Sequence, residues 1–272
     1  MDTEDLVYQA VQEYAEAVRA AVAGLSEEAM LEGVEAAVTR TAREELQASW
    51  ERAMRAGMQL SGESALAQYN IPGSFTLDNP YSDPWIRTHG AQLVVEVDQE
   101  TREALRALVG EGLQEQRTVR DTARLVRDSV GLTSRDALAV AGLQQRVMAE
   151  AGARAAANAA REYAEERLNR RAMNIARTET MNALNQGTWD SWSTASDEGL
   201  LPVNIQRVWI ASPGGERLCA MCGALHKKRT GLKAPWLVKT AKGVVTIWCP
   251  PGHPSCRCTM GLALPKNWNR RR

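Results

Sequence analysis

The chain has 272 residues, with 33 Lys/Arg against 33 Asp/Glu, and one Phe beside eight Trp. That length allows one large domain or two smaller ones. No apolar run approaches the ~20 residues of a membrane helix, and the acidic start, Met1-Asp2-Thr3-Glu4-Asp5, lacks the basic region of a secretory signal.

The neutral total hides a split. Residues 200–272 hold 13 Lys/Arg and a single acid, Glu216, a net charge of about +12, so the rest of the chain carries the balancing excess of acid. A basic module on an acidic body suits a polyanionic or acidic partner. Mutual attraction of the two halves is the other reading.

Residues 4–24 have helical spacing, with Val7, Val11, Tyr14, Val18 and Val22 on one side. Gly24 ends this helix in the reading, and Ser26-Glu27-Glu28 starts a second, which carries Met30, Val34, Val38, Trp50 and Met54 to about residue 56. The two form an expected helical hairpin over 1–56. Gly57, Gly62, Pro72, Gly73 and Pro80 then punctuate residues 57–83, which read as an extended loop or contact arm. Asp83-Pro84 resembles an N-cap followed by a first-turn proline. A helical body is expected over 84–199, with helices near 84–96, 99–112, 118–130, 134–152 and 151–195. Thr118-x-x-Asp121 and Thr133-x-x-Asp136 supply capping signals. The body contains Ala176-Arg177-Thr178-Glu179, which on its own is ordinary helix; Arg177 and Glu179, two apart, do not face each other.

After Pro202 the pattern turns to β. Residues 205–210 alternate, Ser212-Pro213-Gly214-Gly215 makes a turn, and Val244–Trp248 reads as a second strand. The expected fold is mainly α, long helices packed as hairpins or a bundle, with a small α+β zinc-binding module over 200–272. Lys227-Lys228-Arg229 and Arg270-Arg271-Arg272 are basic clusters suited to nucleic-acid phosphates.

All five cysteines fall between residues 219 and 258, with two of the three histidines. Cys219-x-x-Cys222 places two sulfurs on one side of a turn, as tetrahedral Zn²⁺ requires. His253-x-x-Cys256-x-Cys258 offers three more donors. In extended backbone Cys256 and Cys258 point the same way, so Cys258 can replace either member of the second pair. Cys249 and His226 stand outside the set. Buried reduced thiols are the plainer alternative. A disulfide framework is disfavoured, because a chain of this length can build a core without staples. A structural rather than catalytic zinc is expected. There is no His-Glu-x-x-His and no deaminase-type His-x-Glu, and four protein ligands leave no open position.

The order Ala176-Arg177-Thr178-Glu179, then Asn182, Asn185 and Gly187, then Trp209, then Cys219-x-x-Cys222, then Pro250-Pro251-x-His253-Pro254-x-Cys256-Arg257-Cys258 resembles the phage Mu F-like minor head proteins, also called phage head morphogenesis proteins. Gly131-Leu132-Thr133-Ser134-Arg135-Asp136-Ala137 adds to the likeness, which covers about 80–272. The resemblance implies a structural minor capsid protein at the portal vertex, inside the virion, assembled in the host cytoplasm. Its partners would be the portal protein, other capsid proteins and packaged DNA. It also implies metal ligands among Cys219, Cys222, His253, Cys256 and Cys258, and a structural Arg177-Thr178-Glu179 motif. The family often has an Asp shortly before the first cysteine and Asp-Gly after the pair. Here Ser212–Glu216 and His226-Lys227 stand in those regions, and Cys249 is extra. Neither a membrane nor a small-molecule substrate is expected, and no nucleophile–base pair, phosphate loop or paired carboxylates appear. A metal-dependent enzyme and a free zinc-ribbon DNA-binding protein are the alternatives.

Overall fold

A computed structural model describes residues 2–23, 40–115, 117–212, 218–240, 243–265 and 268. The chain is mainly helical, with a small C-terminal strand region. Its helices are α1 (Thr3–Ala23), α2 (Arg40–Gln68), α3 (Ser82–Gln114), α4 (Val119–Asp128) and α5 (Ser134–Asp197), with a short α6 (Ala220–Leu225) after strand β1 (Gln206–Ile210). The remaining strands are β2 (Arg229–Gly231), β3 (Trp236–Thr240), β4 (Gly243–Ile247) and β5 (Thr259–Ala263). β1 lies between β2 and β5 in an antiparallel sheet, and β3 and β4 form a separate hairpin. The single small sheet expected from sequence is therefore two. Among the described residues no helix is long and apolar enough to cross a membrane.

Two compact units share these elements. One comprises Met1–Asp5, Arg52–Arg87 and Asn174–Arg272; the other comprises Leu6–Glu51 and Thr88–Met173. This differs from the expected split at 56, 83 and 199, because the C-terminal strands share a core with helix rather than standing alone. In the first unit Leu66, Phe75, Trp192, Trp209, Trp236 and Ile247 belong to one buried cluster. Trp189 Nε1 donates to the Leu232 carbonyl at 2.8 Å, and Asn185 Nδ2 to that of Cys258 at 3.2 Å.

The loop expected from residue 57 begins only after Gln68. Gly57 and Gly62 are points of close packing rather than breakers. A Cβ on Gly57 would lie 3.1 Å from the Ala183 methyl, and one on Gly62 would enter the Phe75 ring. Helix propensity lost at a glycine is small beside a contact that only glycine permits. The break expected near 97 is also absent. Val97 and Asp98 are buried within α3, where Asp98 accepts from Tyr14 at 3.2 Å and from Arg102 at 2.9 Å.

α3 starts at Ser82, one residue before the expected cap. The Asn79 side chain accepts the Tyr81 and Ser82 amides, both at 2.9 Å. Asp83 instead pairs with Arg55 and Arg87, and the Arg55 hydrogen bond, with help from Arg87, holds its carboxyl below the usual range. Thr118 and Thr133 do cap, accepting from the amides of Asp121 and Asp136. The expected boundary near 152 is a kink inside α5, where Gly152 has φ 82°. The helix start expected at residues 26–28 and the turn at 213–215 lie outside the described residues.

In the second unit Tyr14, Val18, Trp50, Leu105, Leu108, Leu125 and Val140 are buried. Trp50 lies against His89, and a Cβ on Gly90 would fall 2.6 Å from its ring. Arg171 reaches the Gly131 carbonyl and Glu100.

Two polar groups sit deep in the first unit. Asp190 accepts from Ser82 Oγ at 2.8 Å and Gln186 Nε2 at 2.7 Å. Burial outweighs both bonds and pushes its carboxyl up to about 7. Arg207 is fully buried between Trp189 and Trp236, 4.6 Å from each ring centre. It donates to the carbonyls of Trp248 and Ala234, both at 2.8 Å. Burial pushes the guanidinium down to about 10, still charged at neutral pH.

Two outcomes are expected. Gly187 packs so closely on α2 that a Cβ there would lie 2.6 Å from the Met58 Cα. Gly187→Ala should therefore destabilise the chain by about 1–3 kcal/mol or more, read as a lowered denaturant midpoint. Asp190 holds a proton in the folded chain, up to about pH 7, that the unfolded chain loses near its usual 3.8. Its contribution is thus greatest at the acid end and falls as pH rises through that window, with a ceiling of about 4 kcal/mol. Asp190→Asn should flatten the fall, measured as midpoint against pH.

Candidate metal centre

Cys219 is the N-cap of α6. Its φ of −67° and ψ of 153° leave the helix, and its sulfur accepts the Cys222 amide at 3.3 Å. The first helical turn then carries Cys222 to the same side. A second turn faces it, closed by the Cys256 amide donating to the His253 carbonyl at 3.1 Å. Ser255 takes a left-handed φ of 59° within that turn, and the Pro250–Pro251 peptide before it is cis.

The two turns meet. His253 Nε2 lies 3.2 Å from Cys219 Sγ and 3.3 Å from Cys222 Sγ, and Cys222 Sγ lies 3.6 Å from Cys256 Sγ. Cys219, Cys222 and His253 form one mutually close set of donors; Cys222, Cys256 and Cys258 form another. Cys222 belongs to both, so all five expected donors make a single cluster that could hold a metal ion. A tetrahedral site with metal–sulfur bonds of roughly 2.3 Å has donor–donor edges of about 3.8 Å. The observed spacings are that size or slightly tighter.

Electrostatics set the terms for binding. Burial pushes the Cys222 thiol far up, and hydrogen bonds with Cys219, Cys258 and Cys256 push the same way. Burial also raises Cys258, although the Trp209 indole favours its thiolate. Trp209 Nε1 is buried without a hydrogen-bond partner. Cys219 departs from its neighbours. Burial is the largest influence and opposes ionisation, but the Cys222 amide and thiol with His253 outweigh it and lower the thiol. The His253 tautomer suits a ligand: Nδ1 lies 2.8 Å from the Pro254 carbonyl and donates to it, so Nε2 turns a lone pair toward the sulfurs.

The other expected residues have distinct places. Thr178 Oγ1 accepts the Ser255 amide at 2.9 Å, and Asn174 Oδ1 accepts the Ser255 hydroxyl at 3.3 Å. Arg177 points elsewhere, to Glu4 at 3.3 Å, and Glu179 is buried and accepts from Asn182 at 3.0 Å. His226 accepts the Ala211 amide on Nδ1 at 3.2 Å, and Cys249 is raised by burial beside Arg207; neither joins the cluster. Lys227, Lys228 and Arg229 are exposed where α6 leads into β2. Arg270, Arg271 and Arg272 lie outside the described residues.

Sequence reasoning missed the grip of Asn174 and Thr178 on the ligand loop. Their i,i+4 spacing marks a shared helix face, but nothing in it names residue 255. The Arg207 sandwich was missed too; a lone arginine among strand formers is the only signal.

No family model, curated protein or solved structure matches this chain.

Thr178 holds not a donor but Ser255 beside Cys256; if the cluster takes up one metal ion, Thr178→Val should therefore lower its affinity by less than the roughly 10–100-fold that loss of a donor's own partner costs, with stoichiometry at saturation unchanged. Competition with a chromogenic chelator measures this. Cys222→Ser should remove the ion and melt the strands of the C-terminal module while helical circular dichroism is largely retained. An unchanged melting curve would contradict it.

Proposed function

We propose that the chain is a minor head protein of the phage Mu F-like kind. It acts structurally at the portal vertex, with a basic C-terminal module stabilised by zinc. One observation carries the reading. The Arg-Thr-Glu stretch and the His-Pro-x-Cys loop, the two ends of the family-like motif, are hydrogen-bonded to each other through Thr178 and Ser255 at the rim of one donor cluster. Motif pieces 77 residues apart thus act as one physical unit.

Zinc fits the donor set, since thiolates with one imidazole suit a borderline-soft ion that has no geometric demand beyond tetrahedral. Any four of Cys219, Cys222, His253, Cys256 and Cys258 fill its shell and leave no open position for water, so the role proposed for the ion is structural rather than catalytic. Binding of a structural zinc contributes ~10–16 kcal/mol in small zinc peptides, as much as a whole domain's stability of ~5–15 kcal/mol.

The acidic helices dock on the portal and other capsid proteins. The basic module faces packaged DNA, contacting phosphates through its overall positive field without sequence preference. The protein works inside the virion after assembly in the host cytoplasm.

Three measurements test this. Elemental analysis of the purified chain should find one zinc per chain. Co-expression with a cognate portal protein should yield a complex that copurifies, and duplex binding should weaken steeply as salt rises. Abundant free protein that ignores the portal would favour a zinc-ribbon DNA-binding protein. A metal-dependent activity lost in His226→Ala, with the fold intact, would favour an enzyme.

A further inference from the structure

Among the described residues the outer edges of β2, β5, β3 and β4 lack a neighbouring strand, and those of β2 and β3 flank one groove. The register closes the β3–β4 hairpin with Thr240 opposite Gly243. A pair so near the turn exchanges N–H and C=O groups with itself, and the pattern alternates from there. Leu237 and Lys239 therefore turn their main-chain groups to the outer edge of β3. β2 repeats the arrangement. The Trp209 amide donates to Lys228 at 2.9 Å and the Leu232 amide to Ile205 at 3.1 Å. Arg229, between those pairs, directs its N–H and C=O away from β1. Neither outer edge pairs with a strand among the described residues.

A groove of about 430 Å³ is lined by residues 228–230 on the β2 side and 235–239 on the β3 side. Trp236 and Val238 contribute buried apolar surface, and Leu237 is 67% exposed. Lys228, Arg229 and Lys239 add three exposed cations. The module has one acid, Glu216, to set against its 13 cations, so the groove's charge is not answered within the module.

We infer that this groove receives an extended strand of a partner protein, with carboxylates alternating with apolar side chains, added to the outer edge of β3. An unpaired edge offers donors and acceptors in alternation, which another peptide backbone satisfies on both counts. A nucleic-acid backbone does not. Its phosphates accept only, and would bring anionic oxygens against the carbonyls of Leu237 and Lys239. The partner's side chains alternate with period two. Leu237 and Lys239 lie on one face of β3 and Trp236 and Val238 on the other, so carboxylates on the partner reach Lys239, with Lys228 and Arg229 across the groove, while its apolar residues extend the Trp236–Val238 face. This goes beyond the phosphate contact proposed above, which needs only the module's summed charge.

The test uses the full, metal-loaded chain and a fluorescent nonapeptide of alternating Val and Glu, followed by anisotropy. The control is the same peptide N-methylated at every residue, which keeps charge and apolar surface but has no N–H on either edge to pair with a strand. Binding weakened by roughly tenfold or more on N-methylation, and again in Lys239→Glu with metal content and circular dichroism unchanged, is the expected result. Equal binding of the two peptides would reduce the effect to general charge attraction and overturn the inference. So would no binding at millimolar peptide, or a 20-base-pair duplex that binds with the Lys239 dependence while the peptide does not.

Discussion

Cys222 and Cys258 share one cluster with two further thiols and an imidazole, and their charged forms are disfavoured there. Burial and mutual repulsion keep Cys222 and Cys258 protonated, and only a cation among them reverses the preference. Loading with a metal ion would therefore require proton release, at a place where two turns that begin more than thirty residues apart already meet. The C-terminal strands depend on that junction. Cys222, Cys256 and Cys258 belong to the same buried cluster as Trp209, Trp236 and Ile247, so the donor site is one wall of the core rather than an attachment to it.

The helix beneath the site is part of the same construction. Asn174 and Thr178 hold the ligand loop, Asn185 the strand that follows it, and Trp189 the turn after β2. One face of α5 thus fixes three points of the module in succession. Arg207 does comparable work from inside. Its charge is buried, yet two carbonyls and two indole faces surround it, which is how a guanidinium is made tolerable away from water.

Much of this was legible in the sequence, and the rest was not for identifiable reasons. The cysteine spacing marked the donor set, because a Cys-x-x-Cys turn is a local geometry that sequence alone specifies. The caps at Thr118 and Thr133 and the boundary at Gly152 were legible for the same reason. Gly57 and Gly62 misled, since a glycine that breaks a helix and a glycine that admits a Phe ring look identical until the ring is placed. β2 escaped notice because it has only three residues, and β5 because Gly261 and Ala263 are poor strand formers; β3 is as long as β1 and was missed although Trp236–Thr240 is rich in strand formers. The tie from Thr178 to Ser255 could not be read at all, because a hydrogen bond across 77 residues leaves no periodic trace.

Ser255 occupies left-handed backbone at a residue whose side chain and amide both bond to α5. Glycine would adopt that torsion with less effort but would offer no hydroxyl to Asn174. The serine thus accepts local discomfort in return for orientation, and it sits between two of the donor residues. A loop tuned in this way has its shape decided before any ion arrives, so binding one there would cost little further ordering.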